Sequence, residues 1–159
     1  MFNLFRKSSP TNLSKGLVSL LNMIDTFYSS SEFNIPQLDI HLRLRASLFT
    51  YGVIDSYCQA SHFSNDDSNS IYLKLEPQIK SRINFSLNKL MKSQIIKLVF
   101  SDNFLLDIIS VGGTTYNDFL SGDSQRGGMS LRRFGSLVGL WKDIPQKDIE
   151  KQILREYNL

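Results

Sequence analysis

Leu38-Asp39-Ile40-His41-Leu42-Arg43-Leu44-Arg45, running on without a proline through residues 46–60 (ASLFTYGVIDSYCQA), is the stretch that decides the fold. Its first eight residues alternate apolar and polar side chains, the period of a half-buried strand. Ile71-Tyr72-Leu73-Lys74-Leu75 alternates in the same way, so the two could pair as an antiparallel ribbon. Length argues the other way, since strands average about five or six residues. Over its whole length the stretch carries Ile40, Leu42, Leu44, Leu48, Phe49, Val53, Ile54, Tyr57 and Cys58, apolar nearly all round. A helix of that kind belongs at the centre of a domain. The expected fold is therefore all-α, a single bundle of six or seven helices around 38–60. The alternative is α+β, with a small ribbon from 38–45 and 70–76.

The flanking segments support the helical reading. Leu13, Leu17, Leu20, Leu21, Ile24, Phe27 and Tyr28 recur at spacings of three and four, one apolar stripe behind a Ser9 cap and a first-turn Pro10. The run 64–70 (SNDDSNS) reads as a polar loop. A shorter element follows over 70–83, broken or started by Pro77. Residues 87–100 read as one helix. Ser101 or Asp102 caps the next, which Gly122 terminates. Ser130 caps a helix through Trp141, and Pro145 opens the last one. Gly112-Gly113 and the pair Gly135 and Gly139 are expected to face each other at a close crossing. The chain divides into a flexible arm over 1–9 and one helical domain over 10–159.

Bulk properties narrow the function. The chain has 159 residues, 42% of them hydrophobic and 21% charged, which excludes disordered and low-complexity classes. Its size lets about 70% of the unfolded surface be buried, enough for a core without metal or disulfide. A net charge of +3 is mild for a nucleic-acid binder. Cys58 is the single cysteine, which excludes an internal disulfide and fits a reducing, cytoplasmic setting. No stretch reaches the length of a membrane span, and the N-terminus makes a poor signal peptide. No metal or cofactor is implied.

Three features could carry function. Phe2, Leu4, Phe5, Arg6 and Lys7 could enter a membrane interface, apolar side chains down and cations towards anionic lipid. On a continuous helix Arg82, Lys89 and Lys92 fall within roughly 80° of each other, a basic face for a polyanion or an acidic partner. Asp55, four residues after Tyr51 in the most apolar segment, is a candidate pocket acid. His41 and His62 could supply a base. The 122–128 loop with Arg126 lacks the spacing and lysine of a phosphate-binding motif. The expected function is non-catalytic: an intracellular helical protein acting on another protein or on its own copy, the latter as a homodimer. A peripheral membrane or polyanion binder is the alternative, and a small-ligand or enzymatic pocket around Asp55 the third reading.

Overall fold

A computed structural model describes residues 14–122 and 124–158 of the chain. The fold is all-α, with eight α-helices, one 3-10 turn and no strand among the described residues. The helices are α1 Lys15–Ser29, α2 Ile40–Ala60, α3 Asn65–Ile83, α4 Leu87–Leu90, α5 Ser93–Phe100, α6 Asn103–Leu120, α7 Ser124–Asp143 and α8 Asp148–Glu156; the 3-10 turn spans Ile35–Gln37.

The ribbon alternative does not form. Residues 40–45 are the first turns of α2, and 70–76 lie inside α3. The alternating pattern misleads because α2 is packed on several sides: α1, α3, α6, α7 and α8 all touch it. Consecutive positions can therefore all be buried, as 44–50 are. A helix also satisfies its own amides wherever it is placed.

Helix α1 follows its stripe, with Leu17, Leu20, Leu21, Met23, Ile24 and Phe27 buried. Its cap is Ser14, whose hydroxyl accepts from the Leu17 amide at 3.4 Å; the expected cap at Ser9 and first-turn Pro10 lie outside the described residues. The polar run after residue 64 is helix rather than loop. Ser64 Oγ accepts from the Asp67 amide at 3.2 Å while an Asp67 carboxylate oxygen accepts from the Ser64 amide at 3.4 Å. This capping box starts α3, with Asp66 and Asp67 placed favourably at the positive end of its dipole. Pro77 sits in the helix interior without ending it. Buried Ile71, Tyr72, Leu75, Ile79 and Ile83 run along the inner face on both sides of the proline and hold the helix together.

The 87–100 segment is two helices, because Lys92 has extended backbone. Glu76 of α3 organises the first, accepting from Ser86 Oγ at 2.6 Å and from the Asn88 amide at 3.1 Å. Helix α6 is capped by Asp102, which accepts from the Leu105 amide at 3.0 Å, and Gly122 follows its end at φ +69°. Helix α7 begins at Ser124, ahead of the expected cap at Ser130, so residues 124–130 are helical backbone rather than loop. Pro145 precedes α8 by three residues rather than opening it.

The closest helix crossing joins α2 to α6. A Cβ on Gly52 would overlap the Ile109 carbonyl, and one on Gly112 would overlap the Phe49 carbonyl. Gly113 faces Ser56 Oγ. The expected meeting of these glycines with Gly135 and Gly139 does not occur. Gly135 packs on the backbone of Ser30 and Ser31, and Gly139 on the ring of Phe33. The partner of Gly112-Gly113 is the third small residue, Gly52, inside the most apolar segment.

Candidate functional site

Phe2, Leu4, Phe5, Arg6 and Lys7 lie outside the described residues. The basic face does not assemble, because the continuous helix it needs is broken. Arg82 is on α3, Lys89 on α4, and Lys92 between α4 and α5. The Arg82 guanidinium forms a two-point ion pair with Asp25 of α1, with Nη2 donating to Oδ2 at 2.7 Å, and its Nη1 donates to the Gln78 carbonyl. The hydrogen-bonded carboxylate pushes the Arg82 pKa up further. Lys89 Nζ donates to the Tyr157 carbonyl at 3.1 Å and lies 5.4 Å from the centre of that ring. Two of the three cations are thus committed inside the chain, and Lys92 alone stands exposed.

Tyr51 and Asp55 sit one turn apart on α2 but serve different surroundings. Tyr51 stacks on Tyr72 of α3, ring centres 5.3 Å apart and planes 15° apart. Burial, and then the nearby Asp55 charge, raise its pKa. Asp55 accepts from Gln59 Nε2 at 2.6 Å and lines an open groove of about 270 Å³ along the α2/α6 crossing. Ser56, Ser110, Thr114 and Asn117 share that groove, but Tyr51 does not. His41 cannot join them: fourteen residues along α2 separate it from Asp55, roughly 21 Å. His62 sits in the turn after α2 with φ 55°.

The most tightly built polar cluster is one that the residue pattern did not reveal. Arg45 is fully buried, and each of its five N–H groups has an acceptor. Nε and Nη2 donate to the two carboxylate oxygens of Glu150 at 2.7 and 2.8 Å. Nη1 donates to the Trp141 and Ile144 carbonyls, and Nη2 also to Pro145. Glu150 is equally buried and accepts from the Lys147 amide at 2.7 Å. Every donor of the cation is used and none faces solvent, so the cluster fastens the α7–α8 connection to α2 rather than binding a ligand.

The accessible feature is on the outside of α3. Leu73 is 64% exposed, the highest value among the exposed large apolar side chains described. Beside it is a depression of about 280 Å³ lined by Asn69, Tyr72, Asn88 and Met91. The polar composition of 64–70 resembles a loop and so hides this face in the sequence. With the whole of α3 helical, Ile71, Leu75 and Ile79 fix the inner face, and Leu73 falls opposite.

Comparison with protein-family models, curated proteins and solved structures finds no significant match. Among the described residues no helix is long and apolar enough to cross a membrane.

Proposed function

We propose that the protein is a non-catalytic interaction module that binds a protein partner through the outer face of α3. The observation that supports this is Leu73 with its adjoining depression. An isolated exposed leucine carries no message. Leu73 differs in standing beside a concavity that contains Met91, an adaptable side chain suited to contact surfaces. Covering a leucine side chain is worth about 1.5–3 kcal/mol. Asn69 and Asn88 at the edge supply neutral hydrogen-bonding groups of the kind found on a polar rim.

Photo-crosslinking tests the reading. A benzophenone side chain at position 73 of the full chain, expressed in the cells that make it, is expected to give a discrete protein adduct. The same group at Lys97, exposed on α5, gives none. No adduct from position 73 would sink the reading.

A further inference from the structure

Accepting α3 as the interaction surface, we propose that its partner is a second copy of this chain, packed α3 against α3, antiparallel, about a two-fold axis at Leu73. The argument is charge complementarity along one stripe of the helix. Asp66 and Lys80 each lie seven positions from Leu73, one on either side, and all three are exposed. At 100° and 1.5 Å per residue, the three side chains fall within roughly 40° of one another and about 10 Å apart along the axis. Neither the Asp66 carboxylate nor the Lys80 ammonium is paired among the described residues. A two-fold axis at Leu73 sets residue 73+n of one helix opposite residue 73−n of the other. It therefore places Asp66 against the partner's Lys80 and Lys80 against the partner's Asp66, closing two ion pairs at once. A parallel pairing would oppose like charges.

Two further features fit the same register. Pro77, exposed on this stripe, has no N–H to give the carbonyl of Leu73. The partner's Asn69 lies opposite Pro77 in this arrangement and brings an amide donor to that carbonyl. Leu73 itself falls on the axis against the partner's Leu73, an apolar contact between the two ion pairs that buries two exposed side chains. An isologous contact requires that self-complementarity.

Sedimentation of the purified full chain tests the proposal by charge exchange. The parent is expected to dimerise reversibly, with dissociation favoured by salt. Asp66→Lys and Lys80→Asp should each raise the dissociation constant about ten-fold, since each replaces two attractive pairs by two repulsive ones. An equimolar mixture of these two variants should recover a heterodimer. The variant carrying both changes should recover the homodimer. Helical circular dichroism of each variant at low temperature, expected to match the parent, separates loss of association from loss of folding. A parent that stays monomeric, or a dimer indifferent to the charge exchange, overturns the proposal. The crosslink at position 73 then distinguishes the two failures. An adduct with a different protein leaves the α3 surface standing without the second copy, and no adduct removes both.

Discussion

Arg45 and Glu150 are 105 positions apart in the chain and meet as a fully buried, two-point ion pair. Removing one partner strands a charge away from water, which costs about 3–5 kcal/mol. Arg45→Met is therefore expected to lower the unfolding free energy by about that amount in urea denaturation. Arg45→Met combined with Glu150→Leu should cost less than the sum of the two single changes, because no bare charge is left. Additive losses would mean that the two side chains do not depend on each other.

The glycines at the α2/α6 crossing should differ sharply from the one on α7. Gly112→Ala sets a methyl group into the Phe49 carbonyl, and the helices must move apart. A loss of about 3 kcal/mol is expected, at the upper end of ordinary overpacking. Gly139→Ala meets only the Phe33 ring at 3.9 Å. There the helical preference for alanine should stabilise the fold by about 0.5–1 kcal/mol. Parallel thermal melts of both variants check the contrast, and equal effects would contradict it.

Pro77 predicts a gain. Alanine at that exposed helical position restores an N–H for the Leu73 carbonyl and removes the ring from the helix interior. Proline is about 3 kcal/mol worse than alanine inside a helix, partly offset by the stiffness it gives the unfolded chain. Pro77→Ala should raise unfolding stability by about 1–2 kcal/mol on those terms. A destabilised variant would show that the ring packs against something the helix needs.

Alkaline pH should weaken the fold. Burial holds the Tyr28, Tyr72 and Tyr157 phenols well above their ordinary value of 10.0. Above pH 10 the unfolded chain therefore releases protons that the folded chain retains, and the equilibrium moves towards unfolding. This stability is complete below pH 10 and lost as pH rises towards the folded values. Urea midpoints followed across that range should fall. Tyr72→Phe should fall less steeply, having one fewer proton to lose. An identical slope would remove Tyr72 from the account.

What the residues disclosed depended on whether the deciding interaction was local. Helix α1 was legible because a one-sided stripe from Leu17 to Phe27 needs only its own periodicity. The start of α3 was not, because a polar run of turn formers is also what a capping box and an exposed first turn look like. The break at Lys92 is invisible in a continuous apolar spacing; it accompanies the cap that Glu76 brings from another helix. Arg45 looked like the polar half of an alternating strand, and its acceptors lie on the far side of the sequence. The basic face failed for the same reason, since Asp25 and the Tyr157 carbonyl are distant claimants on Arg82 and Lys89.

The placement of α2 has a consequence for how the domain comes apart. The helices before and after α2 both lie against it, α1 preceding it in the chain and α3, α6, α7 and α8 following it. No cut in the chain leaves two pieces that each keep a core, because only one piece can retain residues 40–60. Partial opening is then confined to the periphery, and loss of α2 is loss of the whole. Amides at the Phe49–Gly52 crossing should accordingly exchange with solvent only through global unfolding, together with those of Ile109–Gly113, as one cooperative unit.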